Sequence, residues 1–230
     1  MGKRITQQAR GKGSLTFRVR PKAYRYKITY PEIKTQGEAK ILKLINSPAH
    51  SAPLAKIKAE KQIFIIPAAE NIYEGQKIEI NQKVEVGNIL KLKNVPIGTK
   101  IFNIESYPGS GGKYVRSSGS FATVLRKEKN KAEVLVKKRK IMLNENCRAV
   151  IGIIGGGQRK IKPLVKAGKQ HHRMKSKGRK WHRRSPIKVN AVDHPYGGGR
   201  GKRIKSKIAK RNLPPGKKVG HIRPKRTGKK

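Results

Sequence analysis

This sequence is short of acid, of aromatic rings and of cysteine, and each shortage excludes something. Only 12 carboxylates accompany 58 Lys and Arg in 230 residues, giving a formal charge of +46 at pH 7. Such a chain cannot neutralise itself, so a polyanionic partner is expected, with nucleic acid the leading candidate. A single cysteine, Cys147, excludes an internal disulfide and points to a reducing compartment. Aromatics at 5% and apolar residues at 35% are too few for one large core. No apolar run approaches the ~20 residues that a membrane span needs. The basic stretches also lack the Trp, Phe and Leu face that inserts into a lipid surface. Gly11 and Gly13 stand where a signal peptide would be apolar, and Pro21 and Pro31 break the helix of an organelle-targeting segment.

The acids that exist are confined. All eleven glutamates fall between Glu32 and Glu145, and the one aspartate is Asp193. Residues 158–230 hold 27 Lys or Arg against that single acid, and the first 31 residues hold nine against none. A central body is therefore flanked by arms that repel themselves and are expected to take shape on a polyanion. The tail has no sustained period of either kind but is punctuated by Gly197-Gly198-Gly199 and Pro214-Pro215. Fully extended, it would reach ~240 Å. RNA suits such a peptide better than DNA, because it offers crevices and splayed bases. None of the usual DNA-reading helices can be found.

Between the arms the pattern is one of short alternating strands. Residues 41–45, 54–59, 61–66 and 77–80 form a first set, bounded by Pro48, Pro67 and Gly75. Residues 99–105, 121–126, 132–136, 139–143 and 150–154 form a second, ended by Gly155-Gly156-Gly157. Two small β-modules, 36–82 and 83–160, follow from this spacing, with a basic extension at 1–35 and another at 161–230. Helix is expected to be scarce.

Few residues could carry chemistry. The histidines of the tail, His171, His172, His182, His194 and His221, form no metal-binding pattern with a cysteine, so no metal is expected. Asp193-His194 is the one acid–histidine neighbour pair, but no activated nucleophile accompanies it, and a hydrolase using Ser185 is disfavoured. Asp193 is expected either to pair with a cation or to help hold a hydrated Mg²⁺ beside phosphate. Beyond such a structural Mg²⁺ shared with RNA, no cofactor is called for. Gly109-Ser110-Gly111-Gly112-Lys113 lacks the residues of a nucleotide-binding loop, since Tyr114 stands where Ser or Thr would hold the metal. It is read, like Gly155-Gly156-Gly157 before Arg159, as backbone that can approach a phosphate.

The expected RNA contacts are spread along the chain. In the N-terminal arm they are Arg10, Arg18, Arg20 and Arg25, with Tyr24 and Tyr26. Those two tyrosines and Tyr30 either stack on bases or pack a strand against the body, and the sequence leaves both readings open. Lys113, Arg116 and Arg159 belong to the glycine-rich loops. Trp181 has no apolar neighbours and is expected to stack on a base or sugar among Arg179, Lys180, Arg183 and Arg184.

The ten residues Asn190-Ala191-Val192-Asp193-His194-Pro195-Tyr196-Gly197-Gly198-Gly199 strongly resemble the signature of a family, the universal second protein of the large ribosomal subunit in its archaeal or eukaryotic form. Residues 13–27, 51–53, 105–109, 155–158, 166–169, 171–175 and 211–226 match the same form, so the likeness covers essentially the whole chain. The resemblance implies an all-β fold: an oligonucleotide-binding (OB)-like barrel, then an SH3-like barrel, with long irregular basic extensions threading ribosomal RNA. It adds Lys166, Lys169, His171, His172 and Lys175, then His194, Tyr196, Gly197, Gly198, Gly199 and Arg200, to the expected RNA contacts. It also implies a cytoplasmic, non-enzymatic role in the large subunit, supporting subunit association, tRNA binding and assembly of the peptidyl transferase centre. The implied partners are large-subunit RNA, neighbouring large-subunit proteins and the small subunit at an intersubunit bridge, with no membrane and no homo-oligomer. Tyr196 replaces the second histidine of the bacterial pattern, which weakens any proposal needing two imidazoles. The alternative is a non-ribosomal RNA-binding protein or RNA chaperone.

Overall fold

The computed structural model describes residues 3–60, 62–179, 181, 184–201 and 208–222. The chain divides into two compact units, residues 21–165 and residues 1–20 with 166–230.

The central unit carries twelve strands: β1 (Gly37–Ile45), β2 (Leu54–Ala59), β3 (Gln62–Pro67), β4 (Lys77–Ile80), β5 (Ile89–Lys91), β6 (Lys100–Phe102), β7 (Ile104–Glu105), β8 (Gly112–Tyr114), β9 (Ala122–Glu128), β10 (Lys131–Val136), β11 (Arg139–Asn144) and β12 (Arg148–Ile151). Most lie where the sequence alternates, because alternation puts every second side chain on one face. In β4, Ile78 and Ile80 are buried and Lys77 is exposed. The turn between β9 and β10 pairs Glu128 with Lys131 and puts both Lys129 and Asn130 at positive φ, the geometry of a two-residue hairpin.

Ten of these strands form one sheet in the order β11-β10-β9-β6-β12-β5-β4-β1-β2-β3, and β7 pairs with β8 separately. This overturns the expectation of an OB-like barrel followed by an SH3-like barrel. Ile80 of β4 pairs in parallel with Ile89 of β5, and that bridge fuses the two strand sets into a single open sheet. The central strands favour this arrangement because they are apolar on both faces. Ile89, Phe102 and Val150 face one buried cluster with Ile41, Ile57, Phe64 and Ile80. Their neighbours Leu90, Ile101 and Ile151 face a second, with Val124, Val134 and Cys147. Closure is one way to protect strand edges, but here the edges are managed otherwise. Thr29 donates its N–H to the Ile65 carbonyl (3.0 Å) at β3, and β11 bears the exposed cations Arg139 and Lys140.

One buried ion pair fastens the segment before β1 to this sheet. Glu105 and Arg148 are almost wholly enclosed, with Nη2 to Oε1 at 2.9 Å. The second Glu105 oxygen accepts the Arg148 backbone N–H (2.9 Å), and Arg148 Nη1 donates to the Pro31 carbonyl (2.7 Å). The Tyr30 ring lies 5.0 Å beneath the guanidinium, and its hydroxyl donates to the Asn103 carbonyl (2.7 Å). Burial, followed by the Glu105 charge, pushes the Tyr30 phenol well above its ordinary range and the Cys147 thiol up to about 11. Cys147 is therefore an inert core thiol.

The second unit is not irregular throughout, a further departure from the all-β expectation. It contains helix α1 (Thr6–Gly11), helix α2 (Ala167–Ser176) and a parallel pair, β13 (Ile208–Ala209) with β14 (His221–Ile222). The class is thus mixed α and β. Its two chain segments are joined: Lys3 N–H donates to the Val192 carbonyl (2.9 Å). Buried apolar side chains among its described residues are Ile5, Ala209 and Val219. No described helix is long and apolar enough to cross a membrane.

Candidate nucleic-acid interface

In the central unit, three loops and a turn bring together residues that are far apart in sequence. A 3-10 turn at Pro21–Tyr24 buries Ala23, whose carbonyl accepts the Ala49 N–H (3.1 Å) and the Ser47 hydroxyl (3.4 Å). Tyr24 is left 53% exposed, with its ring edge-to-face against His50 at 5.1 Å. Ser47 Oγ lies 2.7 Å from His50 Nδ1 and fixes the imidazole. Arg159 Nη1 donates to the Ser51 carbonyl (2.9 Å), and the Ser118 N–H donates to Ser51 Oγ (3.2 Å), which brings in the loop that begins at Arg116. Burial, then the Arg116 charge, lowers the His50 pKa. A cavity of about 560 Å³ opens here, lined by Ser47, His50, Ser51 and Arg159.

Glycine makes this convergence possible. A Cβ on Gly119 (φ +61°) would fall 2.4 Å from the Gly157 Cα, so only two glycines let those loops touch. Gly155-Gly156-Gly157, read from sequence as an approach to phosphate, is used by the protein for its own packing. Of this group, Tyr24, Arg116 and Arg159 are expected RNA contacts from the sequence; His50 and Ser47 are not, because their proximity to Tyr24 has no sequence signal. The three tyrosines divide: Tyr30 packs into the core, Tyr24 is exposed, and half-buried Tyr26 lies 5.7 Å under the Arg25 guanidinium. Lys113 is exposed on β8, in the hairpin closed by the Gly111 N–H to Glu105 (3.3 Å).

The second unit offers a different surface. Helix α2 buries no residue, and Lys169, His171, His172, Arg173 and Lys175 are all exposed along it, with Lys166 at its N-cap. The His171 and His172 rings meet edge-to-face at 5.5 Å. A helix polar all round has no apolar face for a protein core to hold. Beyond its C-terminus, Gly178 passes close to the backbone of Phe17, Arg18 and Val19. Arg10 stands 6.0 Å over the Phe17 ring, while Arg18, Arg20, Arg179, Arg184 and Arg200 project outward. Trp181 is half-buried. Lys180 and Arg183 lie outside the described residues, as does His182.

The loop carrying His194 is braced by its own backbone. Asp193 N–H and Gly198 N–H donate to the carbonyls of Asn190 and Val189 (both 3.0 Å), and Gly197 N–H donates to the His194 carbonyl (2.8 Å). A Cβ on Gly197 would sit 2.3 Å from the Asn190 oxygen, so the loop requires glycine there. His194 Nδ1 accepts the Tyr196 N–H (3.1 Å), which places the proton of the neutral ring on Nε2. Partial burial lowers the His194 pKa and favours that neutral form. Asp193 pairs with Lys3 at 3.3 Å. His194, Tyr196 and Lys3 also border a cavity of about 660 Å³ whose walls include Val192, Pro195, Leu213 and Val219. No group of three or more His, Cys, Asp or Glu suited to a metal occurs among the described residues.

Comparison with known proteins gives one answer. Residues 85–215 match the family described as Ribosomal Proteins L2, C-terminal domain. The large ribosomal subunit protein uL2 of Archaeoglobus fulgidus is 43% identical over 237 positions, covering 99% of each chain. Those of Methanococcoides burtonii and Methanothermobacter thermautotrophicus are 40% and 38% identical, each aligned over 100% of both chains.

Proposed function

Since this chain belongs to the uL2 family of large-ribosomal-subunit proteins, we propose that it shapes ribosomal RNA through two dissimilar surfaces while doing no chemistry itself. It is a structural constituent of the large subunit in the cytoplasm, and its main partner is large-subunit RNA. The observation that carries the RNA-binding mechanism is a charge imbalance. The unit formed by residues 1–20 and 166–230 holds six and 24 Lys or Arg in its two segments against Asp193 alone. Phosphate neutralisation and counterion release are the binding force such a surface can generate. Exposed Lys169, Arg173, Lys175, Arg179 and Arg184 take phosphates, and α2 is positioned to follow an RNA groove or crevice.

The His194 loop serves positioning. A neutral imidazole with its proton on Nε2 donates one hydrogen bond and adds no charge, which suits contact with a ribose or base edge. Assembly of the peptidyl transferase centre, tRNA binding and the contact with the small subunit are assigned to this loop and its surroundings, alongside contacts with neighbouring large-subunit proteins. Alanine at His194 is expected to impair assembly or subunit joining more than peptide transfer itself. A fully assembled particle with only a slowed chemical step would contradict this.

The test of the binding mechanism is affinity for large-subunit RNA measured against salt. A steep fall is expected, and each of Arg179→Gln and Arg184→Gln should reduce the log–log slope by about one. Flat, weak binding would end the phosphate-dominated reading. Equal binding to unrelated RNAs, with no association with ribosomes, would favour an RNA chaperone.

A further inference from the structure

We infer that the cavity beside Tyr24 and His50 receives a single unpaired nucleotide of the RNA, its base against the Tyr24 ring and its flanking phosphates at Arg116 and Arg159. This rests on the RNA-binding reading and adds a site, a ligand class and a positioning residue to it. Four features of the central unit point there together. Tyr24 is an aromatic ring left exposed at the end of a turn whose other contacts are buried, and its edge-to-face contact leaves a π-face available. His50 holds that ring, and is itself held by Ser47, which is 1% exposed. The adjacent cavity of about 560 Å³ mixes polar walls (Ser47, His50, Arg159) with apolar ones (Pro48, Pro53) and has room for a base and its sugar. Arg159 lines it and the exposed Arg116 is near enough for its charge to bear on His50, on loops that the Gly119–Gly157 approach keeps together.

The ligand class follows from this geometry. A free phosphate would use the arginines but not the ring. A duplex would present phosphates, but its bases are stacked and offer no face to Tyr24. An unpaired nucleotide supplies both the π-face and the charge. Because burial and the Arg116 charge disfavour protonation of His50, the imidazole supports the ring without adding a competing cation.

His50 acts through Tyr24 and is a positioning residue. The ring stack is insensitive to salt, whereas the arginine contacts depend on it, so the two parts can be separated experimentally.

The experiment uses the full-length protein and large-subunit RNA transcribed from the same organism's gene. Ultraviolet crosslinking followed by peptide mass spectrometry should join the Tyr24 peptide to one nucleotide in a bulge, loop or junction. Tyr24→Leu should weaken binding roughly 5- to 100-fold with an unchanged salt slope, while Tyr24→Phe stays within about 2-fold of wild type. Arg159→Gln should instead reduce the slope by about one. His50→Ala should lose part of the Tyr24 effect, and His50→Phe should restore it. An abasic residue at the crosslinked nucleotide should cost as much as Tyr24→Leu, with no further loss when the two are combined. Thermal unfolding of each variant separates loss of fold from loss of the site. Wild-type affinity in Tyr24→Leu, or a crosslink confined to paired RNA, overturns the inference while steep wild-type salt dependence keeps the broader function intact. Weak, salt-insensitive binding by the wild type overturns both.

Discussion

The two units have nearly equal numbers of cations and opposite means of holding them. Residues 21–165 carry 28 Lys or Arg together with all eleven glutamates, over two buried apolar clusters. Arg126, for example, reaches both Glu128 (2.9 Å) and Glu133 (2.8 Å). Residues 1–20 with 166–230 carry 30 cations and Asp193, with little apolar burial among the described residues and a helix that buries nothing. The first is a body whose sequence contains its own stabilisation. On the proposed reading the second finds its counter-charges on RNA, and its folding is then linked to binding.

The sharpest way to break the first half of this contrast is to remove one partner of the buried pair. Glu105→Ala leaves Arg148 charged and enclosed, and should destabilise the central unit by ~3–5 kcal/mol in denaturant unfolding. Replacing both residues by methionine should cost far less, because no charge is then stranded. Next in size is a test of the second half. Changing Lys169, Arg173 and Lys175 together to Gln should lower the salt slope of RNA binding by about 2–3. The same change at Arg126, Lys140 and Lys77, each beside a glutamate, should lower it less. Gly197→Ala forces a methyl against two backbone carbonyls and should destabilise the His194 loop by about 1–3 kcal/mol. Loss of the His194 tautomer signal in nitrogen NMR would report it.

The smallest effect is on pH dependence. His194 has a lowered pKa in the folded chain, so as pH falls below the ordinary value of 6.5 the unfolded chain takes up its proton first. Its contribution to stability is therefore complete above that pH and is lost as pH falls through the lower folded value. Titrating the imidazole by NMR gives the midpoint directly, and His194→Gln should flatten this part of the stability profile.

Much of the sheet was legible because alternation is written in most of its outer strands: Lys77-Ile78-Glu79-Ile80 shows its buried face by inspection. The sheet's continuity was not, since one Ile80–Ile89 bridge decides it and no local pattern announces a single pairing. Helix α2 escaped for a related reason. Helices are recognised by an apolar stripe, and a helix with no buried face has none. The Glu105–Arg148 pair spans 43 positions and looks like any two charges until the fold encloses them. Among site residues, the cations and Tyr24 could be named from charge and aromatic interleaving, and the Asn190–Gly199 loop from its resemblance. The grouping of Tyr24, His50, Arg116 and Arg159 depends on loop closure through Gly119 and Gly157, which composition does not encode.

The link between Lys3 and the Val192–Asp193 segment has a consequence for synthesis. The amino end leaves the translating machinery first, yet its hydrogen-bonding and ionic partners are polymerised about 190 residues later. At ~5–20 residues per second that is an interval of roughly 10–40 seconds. Residues 21–165 are all made within that interval and can complete their sheet, while the leading basic segment waits uncovered. The Lys3 contacts are therefore among the last that this unit can complete during synthesis.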